Sequence, residues 1–152
     1  MPSILFVCTG NLCRSPMATA LLRRRLAQHP SFADWRIESA GTWANEGEAA
    51  PEKVQAVMRE RRADLSAHRA RRVSRALLGE ADLVIVMSKG HQESLRWEFP
   101  DVADRVFLLS EMVGEYYDIP DPIAGTVSEV RTVAREIDQL LAKGLDRIIM
   151  TM

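Results

Sequence analysis

The 152-residue chain predicts an α/β fold, a single domain (1–152) with a four-stranded parallel sheet and helices on both faces. Three observations carry the prediction. Short strand-like segments at 4–7, 35–40, 81–87 and 105–109, apolar or alternating, are separated by stretches of helical periodicity, and helical crossovers make neighbouring strands parallel. The run from Ala81 to Met87 is nearly continuously apolar, as in a strand covered on both faces. No repeat, linker or low-complexity stretch interrupts the alternation.

Each element has its own signal. Ile4-Leu5-Phe6-Val7 forms the first strand and ends at Cys8. A loop through Gly10 and Asn11 leads to Pro16, which a helix's first turn tolerates. That helix turns Ala18, Leu21, Leu22 and Leu26 inward and Arg23, Arg24 and Arg25 to solvent. Trp35 to Ala40 alternates as an edge strand and runs into a turn-rich loop, Gly41 to Gly47. Pro51 opens a helix with Val54, Val57 and Met58 on its inner stripe, followed by an arginine-rich connection, Asp64 to Val73. A short helix lies near Ser74 to Leu78. After the third strand, Ser88 caps a helix running to about Phe99, with Pro100 beyond its end. Arg105 to Leu109 is the fourth strand, and Glu111 to Gly125 is a long irregular loop. The last helix buries Val130, Val133, Ile137, Leu140 and Leu141.

Composition excludes several function classes. Twenty basic against twenty-one acidic residues leave a formal charge of −1, which argues against nucleic-acid or membrane partners. No apolar stretch reaches spanning length, and the first strand is too short for a signal core. Two cysteines within one loop are no disulfide framework, which points to the cytoplasm. Three scattered histidines and one cysteine pair do not make a zinc set, and no cofactor is expected. Oligomeric state leaves no trace in the sequence.

The chemistry concentrates at the first strand–loop–helix turn. Thr9, Gly10, Asn11, Leu12, Cys13, Arg14 and Ser15 form a loop whose backbone N–H groups, with the positive end of the helix dipole, suit an anion such as phosphate. Cys8 lies in that field, where a thiolate nucleophile is favoured. Arg14 offers a donor fork for two phosphate oxygens, and Ser15 can donate to the cysteine sulfur. Asn11 suits a left-handed backbone position that braces the loop. Cys8, Trp43, Ser88 and the Glu111–Gly125 loop all follow strands, so they converge on one face of the sheet.

Cys8-x5-Arg14-Ser15-Pro16 after a strand resembles the phosphate loop of the low-molecular-weight protein tyrosine phosphatases, and the resemblance runs over essentially the whole chain. It implies a metal-independent cytoplasmic phosphatase acting on phosphorylated proteins through a phosphocysteine. Its general acid corresponds to Asp121 of the Asp121-Pro122 pair, with Asp118 as the competing carboxylate. Trp43 aligns with a rim residue, alongside Leu12 and Ile123; its alternative is a half-exposed core anchor. His68 resembles a histidine that supports the loop from outside; a plain surface histidine is the alternative, as it is for His29 and His91. Cys13 resembles a resolving thiol that protects Cys8 by forming a disulfide; packing beneath the loop is the other reading. The arginines from Arg59 to Arg75 either steer an acidic phosphoprotein or form a solvated face.

Two departures bear on substrate. Ile123 and Ala124 stand where many tyrosine-specific members carry tyrosines. The segment Asp118 to Gly125 resembles bacterial members, including protein arginine phosphatases, but those carry threonine where this chain has Leu12. Hydrolysis of phosphotyrosine is therefore the leading expectation, protein arginine phosphatase the alternative within the fold. A catalytically silent phosphoprotein-binding regulatory domain is the alternative by class, although it would need neither Cys8 nor Asp121. An intramolecular arsenate-reductase relay lacks its extra cysteines, and no nucleotide P-loop string occurs.

Overall fold

A computed structural model describes residues 2–152. Four parallel strands, β1 (Ser3–Cys8), β2 (Arg36–Gly41), β3 (Leu83–Val86) and β4 (Val106–Leu108), make one sheet in the order β2-β1-β3-β4. The helices are α1 (Arg14–Leu26), α2 (Glu52–Glu60), α3 (Arg75–Glu80), α4 (Lys89–Glu98) and α5 (Val127–Thr151).

β1 is central and wholly buried, and its alternation divides two cores. Ile4, Phe6 and Cys8 face the α1, α2 and α5 side with Met17, Leu21 and Leu141. Leu5 and Val7 face the α3 and α4 side with Leu78, Leu95 and Leu108. The strand order reverses direction at β1, with β2 on one side and β3 on the other, so the crevice beyond its carboxyl end is the place such sheets reserve for ligands.

Three expectations need correction. α1 begins at Arg14, two residues before Pro16, so Arg14 and Ser15 lie in the first helical turn and are buried. The segment after β4 is not irregular throughout: Leu109–Val113 is a 3-10 turn closed by Gly114 at φ 79°, and Glu111 Oε2 accepts the Leu108 N–H at 2.8 Å. Arg24 and Arg25 are not a merely solvated face. They pair with Asp138 of α5 at 3.2 and 2.8 Å, and Arg61 joins them at 2.7 Å. This cluster ties α1 and the end of α2 to α5.

No helix among the described residues is long and apolar enough to cross a membrane.

Candidate active site

Residues 9–13 form the loop between β1 and α1. Among the described residues, the backbone N–H groups of Gly10 through Ser15 meet no protein acceptor, so they remain available to an anion. The loop can hold this open shape because Asn11 takes φ 56°, the left-handed region that an asparagine tolerates.

Asn11 is fully buried and acts as the loop's inner brace. Its Nδ2 donates to Ser15 Oγ and to Ser39 Oγ, both at 2.9 Å, and its Oδ1 accepts the Arg71 N–H at 3.0 Å. Outside the loop, His68 Nε2 donates to the Asn11 carbonyl at 2.7 Å, so its ring lies against the loop backbone. Burial lowers the proton affinity of His68, and the nearby Arg69 lowers it further; the bond to Asn11 opposes both.

Ser15 Oγ lies 2.9 Å from Cys8 Sγ. Because Ser15 accepts from Asn11, its own proton is free to point at the sulfur, with the Ala40 carbonyl at 3.4 Å as the alternative acceptor. The two side chains thus stand within hydrogen-bond reach of each other. Cys13, the last residue of the loop, is buried, and its thiol is pushed up to about 12, mainly by burial and then by the negative charge of Asp121.

Arg14, 5 % exposed, reaches from the first turn of α1 to the segment after the 3-10 turn. Its Nη1 donates to the Ile119 carbonyl at 3.0 Å, and its Nη2 donates to Asp121 Oδ2 at 3.4 Å. Asp121 Oδ1 accepts the Ile123 N–H at 3.1 Å, and Asp121 keeps 41 % of its side chain exposed. Asp118 is differently occupied: its Oδ1 accepts the Lys89 N–H at 2.8 Å, a bond to the first turn of α4. Of the two candidate carboxylates, only Asp121 touches Arg14.

The rim is mixed. Trp43 is 75 % exposed, with the Arg72 guanidinium 5.3 Å from its ring centre, which removes the core-anchor alternative. Its backbone N–H donates to the Thr9 carbonyl at 2.9 Å, so it stands beside the loop. Leu12 is half-buried in the loop itself, whereas Ile123 packs partly against the core.

Two contributors escaped the sequence reading. His91 is not an ordinary surface residue: it is 7 % exposed, with Nε2 2.8 Å from Thr9 Oγ1 and Nδ1 2.9 Å from Ser88 Oγ. Burial, then the charge of Arg14, brings its pKa down to about 4, so the ring is neutral near pH 7. Gly41 is the other. A Cβ there would stand 2.4 Å from the Thr9 carbonyl oxygen and 2.9 Å from the Asn11 nitrogen. Only a residue without a side chain lets the end of β2 lie this close to the loop.

Comparison with known proteins gives a consistent picture. Residues 3–149 match the family model described as low molecular weight phosphotyrosine protein phosphatase. A protein-arginine-phosphatase of Geobacillus stearothermophilus is 35 % identical over 146 residues, covering 95 % of each chain. A probable low molecular weight protein-tyrosine-phosphatase of Ralstonia nicotianae, EpsP, is 36 % identical over 144 residues, covering 95 % of this chain and 91 % of its own. Among solved structures, the YwlE arginine phosphatase from Geobacillus stearothermophilus superposes with a TM-score of 0.89 at 33 % identity, covering 99 % of this chain and 94 % of its own. With the family model matching nearly end to end and the fold agreeing at that level, this chain belongs to the low molecular weight phosphotyrosine protein phosphatase family.

Proposed function

We propose that the protein hydrolyses phosphotyrosine in phosphorylated proteins, with Cys8 as nucleophile, Arg14 and the N–H groups of residues 9–15 holding the phosphoryl oxygens, and Asp121 as general acid. The observation that carries the reading is the Ser15 hydroxyl 2.9 Å from Cys8 Sγ at the mouth of a loop of unpartnered N–H groups. A binding module would need the anion cradle but no donor aimed at a sulfur.

In the first step the Cys8 thiolate forms a bond to phosphorus while the phosphorus–oxygen ester bond breaks. Asp121, protonated, gives its proton to the departing oxygen. Arg14 and the loop amides bear the equatorial charge, where positioning and charge stabilisation supply most of the rate. In the second step Asp121 takes a proton from water as its oxygen attacks phosphorus. The sulfur–phosphorus bond breaks, and Ser15 stabilises the released thiolate by donating to it. The Arg14–Asp121 contact bears on the first step: an arriving phosphate competes for Arg14 and frees the carboxyl.

A second substrate reading has a specific support, since the Geobacillus relative is named a protein-arginine-phosphatase and matches over 95 % of this chain. Leu12, an apolar side chain in the loop, favours the tyrosine reading. The deciding experiment compares turnover of phosphotyrosine and phosphoarginine peptides without added metal, with Cys8→Ser as blank. Faster phosphotyrosine turnover supports the proposal; faster phosphoarginine turnover replaces the substrate but retains Cys8. Absence of turnover on both would leave a phosphoprotein-binding regulatory domain. Cys13 is proposed to condense with oxidised Cys8 and so spare it from over-oxidation.

A further inference from the structure

Behind the phosphate loop, on the side of α1 and β2, lies a cleft of about 900 Å³, within the range of small-molecule sites. Its wall is strongly basic: Arg23, Arg24, Arg36, Arg62, Arg69 and Arg71 all line it. Two carboxylates share the wall, Glu38, which is paired, and Asp64, which keeps its charge, so the arginines outnumber them. Glu38 is held by Arg36 at 2.9 Å and by Arg71, and Asp64 accepts from the Ser66 hydroxyl at 2.6 Å. Arg24 is spoken for by Asp138.

Three cations remain. Arg23 donates only to the Ile37 carbonyl, and Arg69 only to the His68 and Ser66 carbonyls. Arg62 has no side-chain partner among the described residues, and it occupies φ 57°, a left-handed position that glycine would fill at less cost. All three side chains are exposed and hydrated in the open cleft, and an anion seated among them exchanges that water for charge-assisted contacts. Guanidinium forks match phosphate oxygens, and a ligand with more than one phosphate group supplies enough charge to engage all three arginines.

We propose that this cleft binds a small oligophosphate, held by Arg23, Arg62 and Arg69, at a site distinct from the catalytic loop. The cleft also touches the braces of that loop. His68 and Ser39 line it and bond to Asn11, and Arg71 does so through its backbone N–H. Occupation is therefore felt at Asn11. That kinetic consequence rests on the phosphatase reading; binding itself does not.

Tripolyphosphate is a suitable probe, and calorimetry the readout. Carboxymethylation of Cys8 blocks the catalytic loop, so binding there is removed and no turnover is involved. The blocked protein is expected to bind one equivalent. Arg62→Ala with Arg69→Ala should weaken that binding about tenfold or more, the loss of charge-assisted contacts. Arg131→Gln, an exposed site outside the cleft, should leave it unchanged. In the unmutated blocked protein, the Arg62 and Arg69 side-chain N–H and His68 ring signals should shift along the same titration. Loss of all binding on carboxymethylation, equal affinity in the double variant, or shifts confined to residues 9–15 would each overturn the proposal.

Discussion

His91 Nε2 lies 2.8 Å from Thr9 Oγ1, so a side chain of α4 fixes the residue that follows Cys8. Ser88 Oγ already accepts the His91 backbone N–H at 3.2 Å, which leaves its proton for Nδ1. The ring then donates from Nε2 to Thr9. This chain of donors requires a neutral imidazole, and the pKa of about 4 provides one. Replacing His91 by Gln should lower kcat/KM about tenfold with little change in KM, because Thr9 loses its orientation rather than its charge. An unchanged kcat would remove His91 from the site.

The same histidine makes stability pH-dependent. Folded, it takes a proton only near pH 4, whereas unfolded it does so near 6.5. Between those values the unfolded chain binds more protons, so stability rises with pH and is lost on acidification through that window, by about 3 kcal/mol at most. The melting-temperature difference between pH 7 and pH 4.5 should therefore shrink in His91→Gln. A difference of the parent's size would assign the acid sensitivity to other groups.

Gly41→Ala tests how closely β2 and the loop approach. The new methyl would meet the Thr9 carbonyl oxygen and the Asn11 nitrogen, both backbone atoms that cannot swing aside. A cost of roughly 3 kcal/mol is expected, as for overpacking, together with a large loss of phosphate affinity. Retained affinity and melting temperature would show that the loop can shift without consequence.

Asp138 makes the opposite prediction. It is 11 % exposed at its side chain and serves Arg24, Arg25 and Arg61. Asp138→Ala leaves three crowded cations, and a loss of roughly 3 kcal/mol is expected, as when one partner of a buried pair is removed. Turnover per folded molecule should stay near the parent value at low temperature, since the cluster lies among α1, α2 and α5. A selective fall in kcat would connect it to the loop.

These residues also show what the sequence could reveal. β1, the loop and α1 were legible because their signals are local: apolar strand, Gly10-Asn11, then Arg14-Ser15-Pro16 within thirteen positions. Asn11's left-handed backbone followed from residue chemistry alone. His91 was hidden because Ser88-Lys89-Gly90-His91 resembles an exposed helix start, and its partner lies 82 positions away. Gly41 looked like an ordinary turn residue, since what forbids a side chain there is another strand's loop. Asp138 borders the buried face of α5, where a charge reads as solvated, and only the packing of α1 against α5 brings the arginines to it.

The role of Asp121 can be separated from that of Asp118 by leaving group. Asp121 contacts Arg14, whereas Asp118 is committed to the Lys89 N–H of α4. Protonation matters most when the departing oxygen is basic, as in phosphotyrosine, and hardly at all for a strongly activated aryl phosphate. Asp121→Asn should therefore slow phosphotyrosine about a hundredfold or more while sparing the activated ester. It keeps the side chain's size and can still accept the Ile123 N–H through its amide oxygen. Asp118→Asn should affect both substrates alike and weakly, through a looser start of α4. Equal losses on the two substrates in Asp121→Asn would move the proton donor elsewhere, and a selective loss in Asp118→Asn would identify it.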